Sequence, residues 1–165
     1  MTATLVAATL APAAPSSAKP HTHSQHVKKI HHVKADRARK TKAGKVRTVA
    51  LPTGFRPEGI AAGHRKTFYV GSVADGRIWV GDVRSDRGRE LVAPVAGRSL
   101  RGLLLDRRSG WLWAVGTQGS EGLVLAVSSR TGKVKANITV PDAGFLNDLT
   151  FSQGAIWVTD SQVDR

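Results

Sequence analysis

From Lys45 onward, apolar residues alternate with polar ones in short runs broken by glycine, aspartate and serine, which is the period of half-buried β-strands. No stretch after residue 48 sustains the three- and four-residue apolar spacing of an amphipathic helix. The runs also repeat. Tyr69, Trp113 and Trp157 recur at 44-residue intervals inside "TFYVGSV", "WLWAVGT" and "AIWVTDS". Ahead of them stand the matched runs "PEGIAAG", "LRGLLLD" and "LNDLTFS", joined to the aromatic strands by turns over 62–66, 106–110 and 152–154. "GRIWVGDV" and "GLVLAVSS" supply third strands, the first after an Asp75-Gly76 hairpin signal. "RELVAPV" and "KVKANITVP" supply fourth strands, and "KVRTVALP" at 45–52 reads as a further fourth strand without its three predecessors.

Four short strands every 44 residues is the spacing of a β-propeller blade. The fold expected is all-β: a partial β-propeller of about two and a half four-stranded antiparallel blades, behind a disordered N-terminal segment. A plain β-sandwich fits less well, because three aromatics and three turn-and-strand pairs align together. Phe68, Trp79, Trp111, Trp113 and Trp157 are mostly assigned to packing between blades. Residues 45–165 make fewer than three blades, whereas closed propellers have about four to eight. The last blade is expected to stop after its second strand and leave an unpaired edge. The chain therefore reads as the N-terminal part of a larger propeller, truncated or else completed by another chain.

The residues before 45 have a different character. "TLVAATLAPAAPSSA" is a short apolar run followed by small residues and proline, the order of an export signal, with cleavage expected after Ala18. No basic residue precedes Lys19, so an Ala/Pro-rich tail is the alternative. The run is too short to span a bilayer. A secreted or cell-wall-associated protein is expected, with residues 1–18 as signal, 19–44 as linker and 45–165 as the incomplete propeller.

Charge follows the same division. Of the net +13, residues 19–47 carry ten Lys/Arg against Asp36 alone, and the rest of the chain carries fifteen against eleven acids. This tract also holds His21, His23, His26, His31 and His32. It reads as a disordered polycationic linker; contact with an anionic cell-wall polymer through residues 19–47, or adventitious Zn or Cu binding, are the functional alternatives. Specific nucleic-acid recognition has no motif to support it. The absence of cysteine excludes disulfides and thiolate metal sites. There is no G-x-S-x-G elbow, and His64, the one histidine outside the tail, reads as a solvated turn residue.

The innermost strand of each blade lines a propeller's central channel. At matched positions it carries Glu58, Arg101 and Asn147, with Asp148 beside the last. A Glu58–Arg101 pair tying two blades together is one reading. Oxygen ligation of a hard divalent cation, Ca²⁺ or Mg²⁺, is the other, with Arg101 opposing it.

"FRPEGIAAG…FYVGSVADGRIWVGDV", "RTGKV" and "FLNDLTFSQGAIWVTDS" resemble the opening blades of the senescence-marker-protein/gluconolactonase family, closest to its exported bacterial branch. The resemblance implies a six-bladed propeller, a Ca²⁺ or Zn²⁺ cofactor, a small-molecule ligand and lactone or ester hydrolysis. It implies Glu58 as a metal-binding carboxylate and Asn147 as the amide beside metal and substrate. Arg101 and Asp148 are candidate substrate-binding residues. No catalytic residue is assigned. Active members often carry Arg where this chain has Phe145, and the family's later ligands fall beyond Arg165. The expectation is thus a remnant with an incomplete site or, alternatively, a noncatalytic extracellular binding propeller held at the cell wall by its basic tail.

Overall fold

The structure, a computed structural model, describes residues 5–7 and 46–164. Contacts divide the chain into two units, residues 1–10 with 49–165 and residues 11–48. The second unit falls almost wholly outside the described residues, as do the tail histidines and most of the expected signal and linker.

All secondary structure among the described residues is β. After β1 (Leu5–Ala7), blade 1 consists of β2 (Pro57–Ala62), β3 (Thr67–Ser72), β4 (Ile78–Asp82) and β5 (Gly88–Val92). Blade 2 follows as β6 (Arg98–Asp106), β7 (Trp111–Gln118), β8 (Glu121–Ser128) and β9 (Val134–Val140). Blade 3 begins with β10 (Leu146–Ser152) and β11 (Ala155–Asp160). Each complete blade is an antiparallel meander in sequence order, so the chain is a partial β-propeller built of four-stranded sheets.

Turn chemistry sets the hairpins. Gly76 and Gly110 take positive φ in the turns that join β3 to β4 and β6 to β7, and Gln153-Gly154 does so at both positions of a two-residue loop between Ser152 and Ala155. Strand alternation then sorts the side chains onto two faces. Leu100, Leu103, Leu105, Leu112, Ala114, Leu123, Leu125 and Val127 of blade 2 form one core with Ala61, Tyr69, Ile78 and Leu91 of blade 1. The residues between them, Leu104, Trp113, Val115 and Val124, form the second core with Leu146, Leu149, Ile156 and Val158 of blade 3. Blade 2 therefore buries both faces. Hydrogen bonds cross the first seam as well: Tyr69 Oη donates to Ser129 O at 3.2 Å, and Arg107 Nη2 to Gly63 O at 3.1 Å.

Two expectations need correction. Residues 46–52 form no strand, and Val46 is 92% exposed; with no third strand alongside, nothing satisfies the ladder that segment would need. The edge of β11 is not left bare: Leu5–Ala7 pairs antiparallel with it, Ala7 opposite Trp157 and Leu5 opposite Thr159. An open row of amides and carbonyls on β11 offers a template that an extended segment satisfies.

The aromatics also divide. Tyr69 is buried in the blade 1–blade 2 core, and Trp113 packs into the blade 2–blade 3 core with its ring 5.9 Å from Trp111. Phe68 and Trp79 pack within blade 1 against Gly81 and Gly88. Trp157 points away from both cores, because its neighbours Ile156 and Val158 take the inward positions.

Candidate functional site

The three inner strands share a defect at the same place. Pro57 pairs with Ser72 and Ile60 with Val70, so Glu58-Gly59 stands opposite Gly71 alone. Arg101-Gly102 likewise opposes Val115, and Asn147-Asp148 opposes Thr159. Each is a β-bulge, which breaks the ladder locally and re-aims side chains. The residues singled out from the repeat are thus the bulged ones in all three blades.

Glycine explains why the strands can meet here. A Cβ on Gly59 would collide with the Arg101 carbonyl, and one on Gly102 would come within 2.8 Å of Asp148 Cα and 2.9 Å of Asn147 O. Backbone of neighbouring inner strands therefore touches at the bulges, leaving no room for a side chain. In blade 3 the corresponding position is Asp148. Its N–H donates to Thr159 Oγ1 at 3.1 Å, and its Oδ1 accepts from the Leu149 N–H at 2.8 Å.

Glu58, Gly59, Ile60, Gly102, Leu103, Asn147 and Asp148 line one cleft of about 260 Å³. Three of the four sequence-derived candidates are brought together: the exposed Glu58 and Asp148 carboxylates and the half-buried Asn147 amide. Arg101 is not among the lining residues. Its guanidinium lies 4.0 Å above the centroid of the Phe145 ring, and Nη1 is buried without a hydrogen-bond partner. No ion pair joins it to Glu58, which corrects the first reading of those two positions. Burial pulls the Arg101 pKa below its ordinary value, and the Glu58 carboxylate acts in the opposite sense.

Asp160, to which the sequence analysis gave no role, holds the segment that leads into the site. Burial works to raise its pKa, but backbone N–H groups of Phe145, Gln162, Gly144 and Val163 together hold it below the ordinary carboxylate value. The bonds from Gly144 and Phe145, at 2.9 and 2.8 Å, fix the segment that presents Phe145 to Arg101 and leads into Asn147. Its signal in the sequence was an acid ending a strand just before a polar run.

The cleft's chemistry is hard oxygen: two carboxylates, one amide and backbone freed by the bulges. Such donors suit Ca²⁺ or Mg²⁺ better than Zn²⁺, for which imidazole or thiolate is the usual ligand. Among the described residues, no cluster of three or more His, Cys, Asp or Glu is present.

No family model matches the chain, and no curated protein matches it. Among solved structures, it is similar to a chain of the "Crystal structure of Nidogen/Laminin Complex", at 22% identity and a TM-score of 0.47. The match covers 58% of this chain and 36% of that one.

Proposed function

We propose that the hub cleft binds a hard divalent cation, calcium before zinc, together with a small oxygen-rich ligand, as part of a gluconolactonase-like lactone or ester hydrolase site. The observation that carries this reading is the cleft shared by Glu58, Asn147 and Asp148: Glu58 and Asn147 stand at the equivalent place on the bulges of blades 1 and 3, and Asp148 follows Asn147 on the same bulge. Glu58 and Asp148 would hold the cation, and the Asn147 amide would orient the ligand. A bound cation supplies Lewis acidity toward a carbonyl oxygen. The protein's own part is to fix these oxygens against a rigid hub. Gly59 and Gly102 serve that end by letting the inner strands touch.

A second reading is favoured by Arg101. With its guanidinium over Phe145 rather than in the cleft, the site offers binding groups without a positioned cationic partner for developing charge. On this reading the protein is a noncatalytic extracellular binding propeller, held at the wall by its basic tail.

Calcium titration of the full chain by calorimetry, paired with a lactone-hydrolysis assay, separates the two. Calcium binding with hydrolysis lost in Glu58→Gln supports the hydrolase. Calcium binding without turnover supports the binding propeller, and absence of calcium binding removes the cation from both.

A further inference from the structure

Antiparallel strands put successive hairpin turns at opposite ends of a blade. In blades 1 and 2, the end at which the inner strands finish carries the turns over 63–66, 83–87, 107–110 and 129–133. These four turns hold eight Lys/Arg against one acid, Asp86. At the end where the inner strands begin, the connections over 73–77, 93–97, 119–120 and 141–145 hold one base, Arg77, against Asp75 and Asp142. The excess positive charge of the blades is therefore gathered at one end.

Hydrogen bonds join the four turns into one connected surface. Within the blades, the Val83 N–H donates to Lys66 O at 2.8 Å and the Ser129 N–H to Gly110 O at 3.0 Å. Across the seam, Arg107 Nη2 reaches Gly63 O, and Arg89 Nη2 donates to Arg130 O at 2.7 Å. The acids bordering the turns face back into them. Asp82 Oδ1 accepts from the Arg84 N–H at 2.7 Å, and Asp106 Oδ1 from the Arg108 N–H at 2.9 Å. Arg65, Lys66, Arg87, Arg108, Arg130 and Lys133 are all exposed. Blades pack through their sheet faces, so hairpin ends point outward whatever stands beside them. The basic tract over 19–47 is repelled by such a surface and does not suit it as a cover.

We propose that this end of blades 1 and 2 is a docking surface for a linear polyol phosphate, a phosphodiester chain without bases. Six of the eight cations are arginines, whose planar forks suit paired contacts with phosphate oxygens. Spread over four turns, they are engaged together by a polymer, whereas a single phosphate meets one turn at a time. The turns contain no Phe, Tyr or Trp on which bases could stack, and short hairpins present nothing to enter a duplex groove. Val83 is their one large apolar side chain, too little to anchor in a lipid surface. The surface is separate from the hub cleft and does not depend on the reading given to it.

Binding of the full chain to poly(glycerol phosphate) over a series of salt concentrations tests the surface. A variant carrying Arg65→Gln, Arg87→Gln, Arg108→Gln and Arg130→Gln should bind about tenfold more weakly or worse. Its slope of log affinity against log salt should be shallower by about three, at roughly 0.7 per lost contact with a flexible chain. The tail is the same in both proteins, so the difference reports the blades. Hydrogen exchange on the unsubstituted protein locates the contact without any variant: the polymer should protect amides in 63–66, 83–87, 107–110 and 129–133. An unchanged slope, or protection confined to 19–47 or to the cleft end, would overturn the proposal. So would tighter binding to single-stranded DNA, polyglutamate or phosphatidylglycerol vesicles than to poly(glycerol phosphate).

Discussion

Arg101 and Phe145 meet across the seam between blades 2 and 3, guanidinium over ring, with 4.0 Å between the Arg101 Cζ and the ring centroid. That contact turns the one cation among the three matched inner-strand positions aside from the cleft where Glu58 and Asn147 meet. It leaves a positive charge near Glu58 without neutralising it by an ion pair.

Removing that charge should favour a cation in the cleft. Arg101→Gln is expected to tighten calcium binding by up to about tenfold, equivalent to about 1.4 kcal/mol, since it lifts a repulsion while leaving the oxygens in place. Calorimetric titration of both proteins in low salt is the measurement. Weaker binding in Arg101→Gln would mean that the guanidinium contributes to the site instead.

Ligand linkage gives a second readout. Saturating calcium should raise the melting temperature of the full chain, with about 2.7 kcal/mol of stabilisation at a hundredfold excess over Kd. Glu58→Gln and Asn147→Ala should each abolish most of that rise. Both side chains lie at the surface of a bulge, so the calcium-free melting temperatures should change little, which thermal denaturation with and without calcium will show.

The bulges themselves can be probed through Gly59. Gly59→Ala pushes a methyl into the Arg101 carbonyl, a backbone group that has no rotamer through which to yield. A loss of about 1–3 kcal/mol is expected, the cost of overpacking. Ala62→Gly on the exposed edge of the same strand serves as a control and should cost under about 1 kcal/mol. Urea denaturation compares the two.

Asp160 makes stability depend on acid. Its folded pKa lies below the ordinary value of 3.8, so the native state binds fewer protons than the unfolded chain. The stabilisation is therefore complete above the ordinary aspartate range and is lost as pH falls through the folded value. Asp160→Asn should cost about 1–3 kcal/mol at neutral pH, because buried N–H groups lose a charged acceptor. The gap from the unsubstituted protein should narrow as pH is lowered below 4, measured by denaturation at a series of pH values.

Much of this architecture is legible in the sequence. The turn at Gln153-Gly154 and the alternation through "WLWAVGT" are local, and local chemistry is what a sequence displays. Equivalence of Glu58, Arg101 and Asn147 followed from the same repeat. The bulges could have been anticipated only from Gly59 and Gly102, glycines inside strand patterns. The assignment of a strand to 45–52 failed because that run has a strand's composition but no neighbour to pair with. Trp157 stands at the position that Tyr69 and Trp113 hold in blades 1 and 2, on a face of blade 3 that no described blade covers.

The sequence alone determined the antiparallel units, their 44-residue period and the positions that must converge, because alternation, turn residues and repetition depend on near neighbours along the chain. Tertiary structure decided which of those positions share a cleft, that Arg101 leaves it for Phe145, and that β1 covers the edge of β11. Those outcomes depend on backbone contacts between residues tens to more than a hundred positions apart, where one glycine or one ring settles which side chain has room to point inward.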